Sequence, residues 1–268
     1  MDQPSPWQQT SITFTDPHNA EQITLDHLAP ALLHLDQAGL LTSWSFIRKR
    51  AWRIRYVSTD DSTSQVRTRL RDTVCHLRET GHVVRSAQTI YEPEIWAFGG
   101  EPGMDTAHAL FHADSRNTLT HLANLDETPI HRRELSVLLC TALMEAAGLD
   151  WFERGDIWAK VTELRPAKQD IADQDHWATF QSDVNRLLHA DTRHGGDLRS
   201  NQAAFASDWL TAFETAGRSL RILADNGLLK RGLRAVIAHH TIFHWNRMGL
   251  PYDVQANLAQ AARCVVFD

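Results

Sequence analysis

The chain has 268 residues, 43% of them hydrophobic and 22% charged, with a formal net charge of −6. That length buries a sizeable core in one large or two small domains, and the composition excludes intrinsic disorder, collagen and a small disulfide scaffold. No apolar run is long enough to span a bilayer, Leu135–Met144 being among the longest.

Met1–Ile12 has no basic stretch leading into an apolar one, and Cys75, Cys140 and Cys264 form no C-x-x-C. The expectation is a cytoplasmic protein with reduced thiols. In chain order, Trp7–Phe14 alternates as a strand. Asn19–Ala38 carries Ile23, Leu25, Leu28, Leu32, Leu33 and Leu35 at helical spacing and stops at Gly39. Pro30 inside this run predicts a kink or a later helix start. Thr42–Ile47 and Ala51–Val57 read as strands joined by the basic turn Arg48-Lys49-Arg50. Thr63–Thr80 is helical in pattern, closed by Gly81, and Val83–Tyr91 is a strand stopped by Pro93. This β-α-β-β-α-β order is that of a ferredoxin-like split unit.

Helical patterns follow over Asp105–Asn124, His131–Ala147, Asp150–Leu164, Ile171–His189, Asn201–Asn226 and Leu229–Gly249, and from Val254 onward. The expected class is α+β: one domain, sheet-rich over residues 1–100 and mostly helical over 101–268. Asp191–Gly196 is the expected mobile loop.

Familiar cofactor and nucleotide motifs are absent, including G-x-G-x-x-G after a strand, the Walker A loop, G-x-S-x-G and H-E-x-x-H. His108/His112 and His240/His244 have metal-ligand spacing, but no carboxylate or cysteine completes either set, so no metal and no cofactor are expected. Charge is unevenly spread. Lysine occurs only at Lys49, Lys160, Lys168 and Lys230, and ten basic residues against four acidic ones lie between Arg48 and Arg85. An acidic chain with one basic stretch does not suit nucleic acid, which needs an extended basic face, and does suit a local carboxylate ligand. Arg67, Arg69, Arg71 and Arg78 read as a solvated helix face. Arg53 and Arg55, two apart on a strand, share one face, where paired guanidinium groups can grip a carboxylate; Arg48 stands at the end of the preceding strand.

Five segments in order carry a family resemblance: Trp44–Arg48, Trp52–Tyr56, Tyr91–Glu94 running to Phe98-Gly99-Gly100, Met104 with Leu110–Ser115, and Phe243–Arg247. The pattern resembles the thiopeptide-type bacteriocin biosynthesis domain, which is similar to the C-terminal elimination domain of class I lantibiotic dehydratases. The resemblance implies a split system. A glutamyl-tRNA-dependent transferase glutamylates Ser or Thr of a precursor peptide, leader plus core, and a separate small protein eliminates glutamate to leave dehydroalanine or dehydrobutyrine. It also implies that such a small protein dimerises or docks on a partner. A divergent branch instead performs the [4+2] cycloaddition that builds the thiopeptide pyridine, and a non-catalytic peptide-binding subunit is a third reading.

Elimination needs a base for the Cα proton, stabilisation of enolate-like charge and a grip on the departing carboxylates. By the resemblance, Arg53, Arg55 and His244 are catalytic, with His240 one turn earlier competing for the proton. Arg48, Trp96, Asp114, Ser115 and Trp245 are the substrate-binding candidates, although Asp114 and Ser115 read first as fixing their helix against the sheet. Two departures stand out. The family's R-x-R is usually preceded by His, where this chain has Ala51-Trp52, and an arginine is expected before the Gly-Gly, where Tyr91–Phe98 has none.

Overall fold

The computed structural model describes residues 5–48, 51–125, 128–167, 174–193, 196, 199 and 201–268. Two compact units emerge: Met1–Pro93 with Phe111–Leu125, and Glu94–Leu110 with Asp126–Asp268. The class is α+β, as the patterning predicts. Half of one helix belongs to the sheet unit.

The sheet unit is built from β1 (Gln8–Phe14), β2 (Leu41–Arg48), β3 (Trp52–Ser58) and β4 (Val83–Thr89), in the spatial order β2-β3-β1-β4 with antiparallel neighbours throughout. Between β1 and β2 runs α1, made of helical Ala20–Ile23, a π-turn Thr24–Leu28 and helical Ala29–Gln37. Between β3 and β4 runs α2 (Thr63–Glu79). This is the expected split β-α-β arrangement.

The π-turn answers the Pro30 question. A proline ring clashes with the carbonyl four residues back and lacks the N–H that would bond it. The wider turn, with Ala29 N–H bonded to the Thr24 carbonyl, puts Pro30 in the first turn of Ala29–Gln37. Gly39 then closes α1 at φ +68, its N–H on the Asp36 carbonyl and that of Leu40 on Leu35.

One face of the sheet is the core face. Ile12, Phe14, Trp44, Phe46, Trp52, Ile54 and Tyr56 are buried with Leu28, Leu32 and Leu35 of α1 and Val66, Leu70, Val74 and Leu77 of α2. Apolar residues alternate at Ile12 and Phe14, at Trp44 and Phe46, and at Trp52, Ile54 and Tyr56, and this period of two marks β1, β2 and β3 as strands.

The helical unit holds α4 (Arg132–Ala146), α5 (Trp151–Leu164), α6 (Gln174–Leu188), a 3-10 turn Ala204–Ala206, α7 (Ser207–Asp225), α8 (Leu233–Met248) and α9 (Tyr252–Phe267); α3 (Glu101–Ala123) contributes to both units. Every residue of α4 from Leu135 to Met144 is buried, so this helix is central to its unit. Gly217 of α7 permits its approach: a Cβ there would lie 2.3 Å from the Leu143 carbonyl oxygen. Asp150 and Glu153 form a reciprocal capping box at the start of α5. Arg199 is buried and holds Glu214 at 2.6 Å and the Ser207 carbonyl at 2.9 Å.

The helix expected to begin at Asn201 begins at Ser207, after the 3-10 turn. Ile171, the expected start of α6, lies outside the described residues, as do Lys49 and Arg50 of the basic turn and His194 and Gly195 of the expected mobile loop. Among the described residues no helix is long and apolar enough to cross a membrane.

Candidate active site

Register places Arg53 opposite Ser11 and Ile47, and Arg55 opposite Gln9 and Ser45. The two arginines therefore share the sheet face away from the α1/α2 core. Their environments differ. Arg53 is exposed, whereas Arg55 is 8% exposed and held from two sides. Its Nε donates to Gln9 Oε1 at 2.8 Å, and its guanidinium lies 4.3 Å over the Tyr91 ring. Gln9 is itself fixed, donating to Thr89 Oγ1 at 2.8 Å and to the Ile90 carbonyl at 3.2 Å, and Tyr91 packs edge-on against Trp7. The result is a guanidinium with a set plane next to an exposed one.

Arg48 does not join them. It sits directly across from Trp52, so it faces the opposite side of the sheet. Its guanidinium pairs with Glu21 and lies 5.2 Å over the Trp52 ring. A five-residue step across a hairpin puts Arg48 and Arg53 on opposite faces.

Asp114 and Ser115, on the sheet-unit half of α3, are both buried. Ser115 Oγ accepts the outward N–H of Phe46 at 3.1 Å, and His112 Nδ1 accepts that of Trp44 at 3.1 Å. Together they close the open edge of β2. The Ser115 hydroxyl is thus committed to the fold rather than to a substrate.

His112 carries a pH consequence. Burial pushes its imidazole below the ordinary 6.5, against the pull of Asp36, whose Oδ1 lies 3.4 Å from Nε2; Arg116 adds to the depression. An Nδ1 that accepts an N–H is unprotonated, in accord with a neutral ring. With the folded value below the unfolded one, the unfolded chain binds more protons between them. Stability is therefore complete above about pH 6.5 and is lost as pH falls through the lowered value. Thermal melts between about pH 5 and 8 are expected to fall less steeply for His112→Asn, whose amide oxygen replaces Nδ1, than for wild type. Equal slopes would remove His112 from the account.

In the helical unit, the segment Glu94–Gly100 turns tightly into α3. Gly99 has φ +87, and a Cβ there would meet Leu229 at 2.9 Å; at Gly103 one would lie 1.9 Å from the Phe98 carbonyl oxygen. Trp96, an expected groove residue, is 69% exposed on this turn. Trp245, its expected companion, is fully buried and stacked on Trp158 with ring centroids 5.9 Å apart, so it packs in the core.

His244 is buried, its ring edge-on to Trp209 at 5.9 Å and Phe213 at 5.0 Å. His240 is buried too, 4.9 Å from the Phe98 ring.

Two residues escaped the sequence reading. Arg231, just before α8, donates to the Ala97 carbonyl at 2.9 Å, and the Lys230 N–H bonds the Gly99 carbonyl at 2.8 Å. A cation from elsewhere in the chain thus stands at the segment that lacks its own arginine. Arg231 also meets His239 Nδ1 at 3.2 Å. As guanidinium can only donate, Nδ1 must accept and a neutral His239 carries its proton on Nε2. Burial first, and Arg231 second, hold this imidazole below 6.5. The spacing of 134 residues between Arg231 and Ala97 left no local signal to find.

No curated protein matches the chain. Among solved structures it is similar to the tRNA-dependent lantibiotic dehydratase MibB from Microbispora sp. 107891, at 16% identity and TM-score 0.72, covering 99% of this chain and 28% of that one. The chain therefore corresponds to just over a quarter of that dehydratase's length. It is also similar to TsrL, at 16% identity and TM-score 0.64 over 97% and 98% of the two chains. The pyridine synthase TbtD from thiomuracin biosynthesis matches at 14% identity and TM-score 0.66, over 97% of each. These likenesses are of fold. The model of the lantibiotic biosynthesis dehydratase C-terminal family matches residues 7–266, nearly the whole sequence, and the chain belongs to that family.

Proposed function

We propose that the chain removes glutamate by β-elimination from glutamylated Ser or Thr of a linear precursor peptide, leaving dehydroalanine or dehydrobutyrine. A separate glutamyl-tRNA-dependent transferase supplies the substrate. In this reaction a base takes the Cα proton, the electron pair forms the Cα=Cβ bond, and the Cβ–O bond breaks to release glutamate. The observation that carries the reading is the Arg53/Arg55 pair: an exposed guanidinium beside one held by Gln9 and Tyr91, on one face of β3. A carboxylate-bearing leaving group is what such a pair is suited to hold.

Arg231 supports the same reading by placing a cation at the turn where the family pattern has an arginine. His244 is the proposed proton acceptor, and His239, a neutral imidazole oriented by Arg231, is its rival. Alanine variants of each separate the two.

The test is mass spectrometry of a glutamylated precursor peptide incubated with the purified chain alone. A mass drop of one glutamic acid per modified site is expected, with the drop abolished or strongly slowed in Arg55→Ala. Full elimination in both Arg53→Ala and His244→Ala would sink the assignment of those two residues. A second reading, pyridine-forming cycloaddition on a peptide that already carries two dehydroalanines, is favoured by the arginine-free Tyr91–Phe98 segment and by the near-complete mutual coverage with the pyridine synthase TbtD. It predicts no glutamate release, and a pyridine product with loss of leader peptide from the dehydrated substrate.

A further inference from the structure

The two edges of the sheet are treated differently. On β2 the outward N–H groups of Trp44 and Phe46 are capped by His112 and Ser115. Successive residues of a strand aim their backbone groups to opposite sides, so this fixes the direction of every group across the sheet. Ser45 bonds Arg55, Ile54 bonds Thr10, and Gln9 and Ser11 bond Thr89 and Ala87. Ser86 and Gln88 of β4 therefore point their N–H and C=O away from β1, and among the described residues no hydrogen-bond partner meets them.

Arg85 and the register shift at Thr13/Phe14 protect only one end of that edge. Ser86–Thr89 contains no charge and no proline, the residues with which sheets commonly blunt an open edge. Val84 and Ile90, flanking it, are 61% and 87% exposed. A register shift at Thr13/Phe14 limits the regular part of β4 to Arg85–Thr89.

We propose that β4 takes up an extended stretch of the peptide substrate as a fifth strand. The proposal rests on the reading above in that the substrate is a linear peptide. Five regular residues are too few for a second copy of this chain, since folded partners need about 1,000 Å² of good interface. They suit the reversible capture of an unfolded segment, whose affinity comes from main-chain hydrogen bonds. The edge is also continuous with the arginine cluster: Gln9, which holds Arg55, donates to Thr89 and to the Ile90 carbonyl at the end of β4. An added strand lies three strand spacings from β3, about 14 Å. Four or five extended residues cover that distance, at roughly 3.5 Å each. The docked segment and the reacting residue are thus different parts of one peptide.

The test titrates a fluorescein-labelled, unglutamylated precursor peptide against the full chain by anisotropy, with no turnover involved. Gln88→Pro removes an outward N–H and is expected to raise Kd about tenfold. Gln88→Ala keeps that N–H and is expected to change Kd within about twofold. Peptides N-methylated one residue at a time, offered to wild-type protein, are expected to lose affinity at alternate positions across the docked segment. Equal losses for the two Gln88 variants, or no binding or no alternation with wild type, would overturn the proposal. So would a dimer in sedimentation that Gln88→Pro dissociates while peptide affinity holds, which would give the edge to a second copy. If elimination proceeds with KM unchanged in Gln88→Pro, docking falls and the lyase stands. If the alternating pattern appears without elimination, the reverse holds.

Discussion

Arg55→Ala is expected to lower kcat/KM for glutamate elimination by about 10² to 10³, the usual loss when a preorganised group that stabilises charge in a reacting complex is removed. The size of the effect follows from the setting of this side chain. Its Nε is occupied by Gln9, its plane lies against Tyr91 and it is nearly buried, so its position is fixed before substrate arrives. Arg55→Lys retains the charge but has neither the planar stack nor the same donor to Gln9, and is expected to stay near the alanine value. Arg53→Ala, at an exposed site, is expected to raise KM with a smaller effect on kcat. Steady-state kinetics on a glutamylated peptide decide it: recovery of wild-type rate by Arg55→Lys would mean that only charge at this position matters. A cycloaddition, which has no glutamate to hold, would leave Arg55→Ala active on the dehydrated peptide.

The second large effect is on stability. In Gly217→Ala the new methyl would lie 2.3 Å from the Leu143 carbonyl oxygen and 3.0 Å from both Ala146 Cβ and the Ala147 nitrogen. Two of these neighbours are backbone atoms, one within α4 and one at the residue that ends it, so no side-chain movement can relieve those contacts. Overpacking of this kind costs about 3 kcal/mol. Chemical denaturation is expected to move by that amount, whereas Gly227→Ala, with nothing within 4 Å, suffers only the strain of φ +68. An unchanged midpoint for Gly217→Ala would mean that α4 and α7 separate without penalty.

The strands and most helices were legible because they are amphipathic, and the period of their apolar residues gives the element type. That same period put Arg53 and Arg55 on one face. Arg48 was misplaced because the face of a residue across a hairpin depends on the turn, here the step from Arg48 to its partner Trp52. Trp245 was misjudged because α8 is buried almost all round, so its sequence has no polar side to say which residues a ligand could reach. The α3 acceptors for β2, His112 and Ser115, and the cation Arg231 at Ala97 join residues 68, 69 and 134 positions apart. Such pairings are consequences of tertiary packing and leave no trace in local pattern.

The sharing of α3 between the units limits how this gene can be cut. A fragment that stops at residue 100 keeps all four strands but leaves out His112 and Ser115, so Trp44 and Phe46 would present bare N–H groups along the rim of β2. Such a rim templates pairing with other chains. The sheet unit is therefore not a portable module with a single pair of ends. Recombination or engineering that moves it must carry the sequence through to residue 125, and with it the turn and helix start that belong to the other unit.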